Sequence, residues 1–180
     1  MVKIRDDLPK TSDGAIDIAQ WVQRVGKDRS EKERKLLLAA AYLNLENGGH
    51  HLTCVNESCL RQGLQTAETL MTLEPDIATL LAAIVYFPAQ YAELSCEMIQ
   101  NTLGNEVTTL VSGLIQITTH AHQVKGSNAT SQHDNLRKML LAVVEDVRVV
   151  LIKLAERITS LRAAVVLDKE VRQQYALGFR

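Results

Sequence analysis

Between Asn135 and Arg162 the chain reads NLRKMLLAVVEDVRVVLIKLAERITSLR, with apolar residues every three or four positions on both sides of Asp146. Helices bring every third or fourth residue to one face, whereas strands alternate. The stretch therefore reads as two amphipathic helices joined at Asp146. The spacing predicts burial of Leu136, Met139, Leu140 and Val143 in the first. In the second it predicts burial of Val147, Val150, Leu151, Leu154, Ile158 and Leu161. Val147 to Ile152 is rich in β-branched residues, which suit strands, yet the helical spacing runs straight through it. No other part of the chain offers a stronger strand pattern.

Elsewhere the helical period recurs. Only three prolines interrupt it, and 46% hydrophobic against 4% aromatic residues describes a core of Leu, Val, Ile and Ala. A chain of 180 residues suffices for one well-buried core. The expectation is all-α: a single helical domain of about eight or nine helices over 14–180, preceded by a flexible arm at 1–13. Asp13 is expected to cap a helix carrying Ile16, Ala19, Val22 and Val25, which Gly26 stops. Ser30 and Glu33 form a capping box, each side chain accepting from the other residue's backbone N–H. That helix runs to Asn47-Gly48-Gly49. A third shows Leu60, Leu64, Ala67, Leu70 and Met71 on one side. Pro75 suits a helix start, and Ile77, Leu80, Leu81 and Ile84 face inward until Pro88 ends the helix. Ser95 caps a short helix ending near Gly104, and Asn105 opens one with the stripe Val107, Leu110, Val111, Leu114 and Ile117. Val124 to Ser131 reads as a flexible connection. Ser131 with Asp134 caps the next helix, and Asp168 caps a last one.

Lys and Arg number 20 against 21 Asp and Glu, a net charge of −1, which argues against a dominant polyanion-binding surface. Cys54, Cys59 and Cys96 are odd in number and lack metal-type pairing, as in a reduced, cytoplasmic protein. The N-terminus is charged and has no apolar signal core. The longest apolar run, Leu80 to Ala89, is too short for a bilayer, so no membrane partner is expected. The histidines give no metal site. His50 and His51 are adjacent, His120 and His122 are two apart, and His133 lies beside a cap, so none forms the i, i+4 pair of a helical zinc site.

The tetrapeptide Leu154-Ala155-Glu156-Arg157 and its surroundings resemble the last metal-ligand helix of the HD hydrolase domain in RelA/SpoT-type (p)ppGpp synthetase/hydrolases. In that family the helix reads K-L-A-D-R-L-H-N and its Asp is the final ligand. Here Glu156 replaces that Asp, Thr159 the His and Ser160 the Asn. A second family segment, D-x-x-T-x-x-A-A-x-L-H-D-V-V-E-D, is similar to Asp76–Tyr91 through Ala83. Tyr86 and Phe87 then stand where His-Asp supplies metal ligands, and Gln90 and Tyr91 where Glu-Asp flanks the scissile diphosphate. Counting back to R-x-S-G-x-P-Y-x-x-H-P reaches Thr53–Gly63, which places Gln62 at the ligand His and Thr53 and Cys54 near the nucleotide-gripping basic residues.

On this resemblance the chain holds no catalytic, cofactor-binding or metal-ligating set. Gln62, Tyr86, Phe87, Gln90, Tyr91 and Glu156 are degenerate positions. An HD centre needs imidazoles and carboxylates converging on one ion that activates water, and only Glu156 can still donate an anion. It is expected to pair with Lys153 or Arg157 instead, while Tyr86 and Phe87 fill the vacated volume with apolar surface. Arg137, Lys138, Arg148, Lys153, Arg157 and Arg162 form the largest basic concentration. Asp134, Glu145, Asp146 and Glu156 interleave with them, which reads as a solvated, ion-paired helix face. Arg148, Lys153 and Arg157 are the candidates for residual nucleotide contact.

The pattern of loss resembles the monofunctional RelA branch, in which hydrolysis is gone and synthesis survives. The resemblance implies a parent GTP pyrophosphokinase that transfers pyrophosphate from ATP to GTP or GDP, with Mg²⁺, in the stringent response. Its implied partners are the synthetase domain of the same chain, and the ribosome and uncharged tRNA through C-terminal domains. A chain stopping at Arg180 is then expected to be an N-terminal fragment: a pseudo-hydrolase serving as regulatory scaffold for the synthetase. The alternative is a vestigial module that binds a guanine nucleotide, ppGpp or GDP, as effector.

Overall fold

The structure, a computed structural model, describes residues 8–48, 51–123 and 146–165. Within them lie seven α-helices: α1 (Ile18–Val25), α2 (Glu31–Gly48), α3 (Cys59–Leu70), α4 (Ile77–Gln90), α5 (Cys96–Leu103), α6 (Asn105–Gln123) and α7 (Val147–Ala164). A single 3-10 turn, Met71–Leu73, follows α3. The described residues hold no strand, only two isolated bridges, Lys10 to Ile16 and Leu52 to Ser58. The count is below the eight or nine expected, and the helices expected after Asp134 and after Asp168 lie outside the described residues.

Local chemistry sets the starts. Ser30 and Glu33 form the expected capping box: Glu33 Oε2 accepts from Ser30 N at 2.9 Å, and Ser30 Oγ accepts from Glu33 N at 3.3 Å. Ser58, Asp76, Ser95 and Asp146 each accept a first-turn N–H of α3, α4, α5 and α7. The first cap differs from expectation. Asp17, not Asp13, caps α1 by accepting from Gln20 N at 2.9 Å. Asp13 instead accepts from the Thr11 hydroxyl in a turn ahead of the helix, and Ile16 is drawn into the bridge with Lys10. Leu8 is buried, so the described end of the expected arm packs on the domain.

α4 is the axis of the domain. Every residue from Ala78 to Ala89 is buried, and α4 touches α2, α3, α5, α6 and α7. A helix apolar on all sides belongs in such a place. Pro88 does not end α4 as expected, since the helix continues to Gln90. Proline removes the N–H that would reach the carbonyl of Ile84. Asn44, fully buried on α2, supplies the replacement: its Nδ2 donates to Ile84 O at 2.5 Å and to Cys59 O at 3.3 Å. Gly63 makes room for α3 at the same carbonyl, because a Cβ there would lie 2.5 Å from Ile84 O.

α7 corrects the largest expectation. Its buried residues are Val149, Ile152, Ala155, Glu156, Thr159, Ser160 and Ala164. Val147, Leu154, Ile158 and Leu161, expected inside, are exposed by 61%, 56%, 43% and 50%, and Val150 and Leu151 are only partly covered. The inward face is the one whose polar groups find partners on α3 and α4.

Candidate functional site

Gln62, Tyr86 and Glu156, three of the positions singled out in the sequence, meet where α3, α4, α6 and α7 come together. α4 places Tyr86 fully inside the protein, with Phe87 beside it, 3% exposed, and ring centroids 5.3 Å apart. The Tyr86 hydroxyl lies 2.7 Å from Thr118 Oγ1 on α6 and accepts from Lys153 Nζ on α7 at 2.9 Å. Thr118 Oγ1 in turn lies 2.9 Å from Leu114 O, to which it donates. Burial pushes the Tyr86 phenol above its ordinary value, so it is neutral.

Lys153 Nζ also lies 2.8 Å from Glu156 Oε2, an i, i+3 ion pair whose carboxylate side is 7% exposed. Burial works against the Lys153 charge, but the Tyr86 oxygen and the Glu156 carboxylate outweigh it and hold the ammonium above its usual range. The other carboxylate oxygen, Glu156 Oε1, lies 2.9 Å from Ser160 Oγ, which is also 3.0 Å from Gln62 Oε1 on α3. One hydroxyl proton cannot serve both acceptors, and Gln62 Nε2 has no partner. Turning the amide over resolves this: Gln62 Nε2 donates to Ser160, and Ser160 donates to Glu156. Thr159 closes the row, its Oγ1 3.2 Å from Thr69 Oγ1 of α3.

Gln62, Tyr86, Lys153 and Glu156 are thus brought into one polar cluster inside an aliphatic core. Gln90 and Tyr91 sit apart, at the C-terminal end of α4. Tyr91 stacks on His51 with centroids 4.0 Å apart, and His51 Nδ1 lies 3.5 Å from Glu93 Oε1. Burial pushes the Tyr91 phenol up as well. Cys54 lies close enough to feel the charges of Glu156, Arg157 and Lys153, but burial raises its thiol first of all, which leaves it a poor nucleophile at neutral pH. Arg157 is exposed at this rim. Arg148 lies at the other end of α4: it bonds both oxygens of Asp146, and its Nη1 lies 2.6 Å from Asp76 Oδ2 and 2.7 Å from Glu106 Oε1. It ties the first turns of α4, α6 and α7 together. Arg137 and Lys138 lie outside the described residues.

Thr118 and Asn44 escaped the sequence reading. Both occupy helical positions otherwise filled by aliphatic residues, and a polar residue interrupting such a stripe is the signal that would have found them.

The cluster's donor set does not fit a divalent cation. It offers one carboxylate already paired with an ammonium, one amide, the hydroxyls of Ser160 and Thr118 and a neutral phenol, whereas metal sites converge several imidazoles or carboxylates. Among the described residues no three His, Cys, Asp or Glu side chains gather to hold a metal. None of the described helices is long and apolar enough to cross a membrane.

A sequence-family model described as HD domain matches residues 39–178. The chain is 33% identical over 153 residues to a GTP pyrophosphokinase of Escherichia coli K12, covering 83% of this chain and 20% of that protein. It is 40% identical over 152 residues to a GTP pyrophosphokinase of Haemophilus influenzae, covering 82% and 20%. Against the GTP pyrophosphokinase rsh of Brucella ovis, identity is 28% over 157 residues, 87% of this chain and 20% of that protein. The chain spans about a fifth of the length of these relatives.

Proposed function

The chain belongs to the HD-domain family, homologous to a segment of GTP pyrophosphokinases, and on that premise we propose that it is an HD domain without hydrolase chemistry. The observation that carries this reading is the interior cluster of Gln62, Tyr86, Lys153 and Glu156, where an HD centre would gather metal ligands. Water needs a Lewis acid or a strong base to attack a diphosphate. Here the one carboxylate is bound to an ammonium at 2.8 Å, and the neighbouring phenol is neutral. What the cluster does is link α3, α4, α6 and α7 through buried hydrogen bonds and an ion pair, as suits a regulatory scaffold beside a synthetase.

In the longer protein this reading proposes, the catalytic work belongs to a synthetase domain of the same chain. That domain would transfer pyrophosphate from ATP, with Mg²⁺, to GTP or GDP in the cytoplasm. It would answer to the ribosome and uncharged tRNA through further C-terminal regions, on the pattern of the monofunctional RelA branch. The test is (p)ppGpp hydrolysis by this chain with saturating Mn²⁺. No release of pyrophosphate is expected, and turnover like that of a bifunctional homologue would sink the proposal.

A further inference from the structure

We propose that the outward face of α7, with the groove it forms against α3, docks one amphipathic helix of a partner protein whose flanks are acidic. This surface is separate from the interior cluster, so the proposal stands whether or not that cluster hydrolyses anything.

Val147, Leu151, Leu154, Ile158, Leu161 and Val165 follow one another in alternating steps of four and three residues. That is the a/d seam of a heptad, the pattern that packs knobs-into-holes on another helix. Leu151 is partly covered, and the other five are exposed. Single exposed apolar residues are ordinary, but a continuous strip bordered by polar groups marks a site of interaction. The strip runs into the groove of about 660 Å³, where Leu154, Ile158 and the small Ala155 meet Leu70 and Leu73, and where Thr72 and Arg162 share the lining.

Charge selects the occupant. The e and g positions, which flank a heptad seam and pair across it, hold Arg148, Arg157 and Arg162 and no acidic residue. Arg148 is engaged by three carboxylates, so an incoming helix would meet Arg157 and Arg162. Two copies of this chain paired through the seam would set Arg157 against Arg162 if parallel, and each arginine against its counterpart if antiparallel. Like charges disfavour both arrangements. Glutamates on a foreign helix would pair with both arginines, which defines the partner as apolar at a and d and acidic at e and g.

The test uses two fluorescein-labelled peptides of about four heptads, with leucine at a and d and either glutamate or lysine at e and g. In fluorescence anisotropy with the 180-residue chain, the glutamate peptide should bind at least about tenfold more tightly than its lysine twin. Arg157→Glu with Arg162→Glu should reverse that order. Leu154→Ser with Ile158→Ser should weaken the glutamate peptide about 30-fold, whereas Leu45→Ser, at an exposed leucine of α2, should change nothing. If the serine pair does not fold, the arginine reversal decides alone. Equal affinity for the two peptides, indifference to the serine pair, or no binding at about millimolar peptide would overturn the proposal. So would a concentration-dependent dimer abolished by Leu154→Ser, which makes a second copy the occupant. Seam-dependent binding to phosphatidylglycerol vesicles without peptide binding would overturn it in favour of a membrane.

Discussion

The two faces of α7 are arranged against their composition. The face toward α3, α4 and α6 mixes Val149, Ile152 and Ala155 with Glu156, Thr159 and Ser160, while Leu154, Ile158 and Leu161 look outward. Area alone would favour the reverse, since apolar burial gives about 25 cal/mol per Å². Shape and polar partners decide otherwise. Val149 settles on Gly113 of α6, where an added Cβ would lie 3.2 Å from Val149 Cγ2, and small Ala155 keeps the buried face narrow. Turning the helix would also strip Lys153 of Tyr86, Thr159 of Thr69 and Ser160 of Gln62. A hydrogen bond adds only about 1 kcal/mol when made but costs about 1–3 kcal/mol when its buried partner is orphaned. Leu154 and Ile158 meanwhile line, with Leu70 and Leu73, a groove of about 660 Å³ between α3 and α7. The inward face of α7 is therefore not its most hydrophobic one.

The sharpest way to break this comparison is to truncate one residue on each face. Ile152 is fully buried, so Ile152→Ala should cost about 3 kcal/mol by urea denaturation, the usual price of a core cavity. A loss below about 1 kcal/mol would mean that α7 is turned differently. The next effect concerns α4 rather than α7. Asn44→Ala leaves the Ile84 carbonyl without its donor opposite Pro88, at a cost of about 2 kcal/mol. Pro88→Ala should recover part of that loss in the double variant, because alanine restores the missing N–H. Independent effects would separate Asn44 from the proline.

The pattern of success in the sequence follows from these cases. Local chemistry was legible: the Ser30–Glu33 box, the Ser95 cap and the inward stripe of α6 need only neighbours in the chain. Pro88 was misread because its effect depends on Asn44, forty-four positions upstream in sequence and invisible to a local rule. The faces of α7 were misread because the residues offered two helical stripes, and hydropathy selects the more apolar. Only the partners on α3 and α4 identify the correct one. The pairing of Glu156 with Lys153 was legible as an alternative to Arg157, since both lie within a turn. Its link to Tyr86 is a tertiary fact with no local trace.

Arg148 gives a smaller effect with a pH signature. Arg148 draws the Asp146 carboxyl below its ordinary value through hydrogen bonds, and although burial pushes Asp76 upward, Thr79 and Arg148 bring it down. A lowered folded-state value adds stability that is present above the unfolded value and is lost as pH falls through the folded one. Arg148→Met should therefore cost roughly 1 kcal/mol at pH 7, discounted because these groups are partly solvated. The gap to wild type should hold between about pH 6 and 8 and narrow below about pH 4. A gap independent of pH would assign the loss to packing of the arginine stem. Titration calorimetry with ppGpp tests the same residue for nucleotide contact. Three carboxylates already engage Arg148 and Lys153 is turned inward, so no heat is expected at millimolar ligand.

The smallest effect completes the contrast. Leu154 lies two positions beyond Ile152 but is 56% exposed, so Leu154→Ser should change stability by no more than about 0.5 kcal/mol in this chain. The value of that measurement lies in its sign and in its comparison with Ile158→Ser, one turn further along the same groove. If both serines are neutral, the apolar stripe contributes nothing to folding, and its leucines are surface in this chain. If both destabilise by more than about 1 kcal/mol, the groove between α3 and α7 is covered when the chain folds, and the outward face of α7 is a second core face. The two variants together therefore decide whether α7 has one buried side or two, which the truncation of Ile152 alone cannot do.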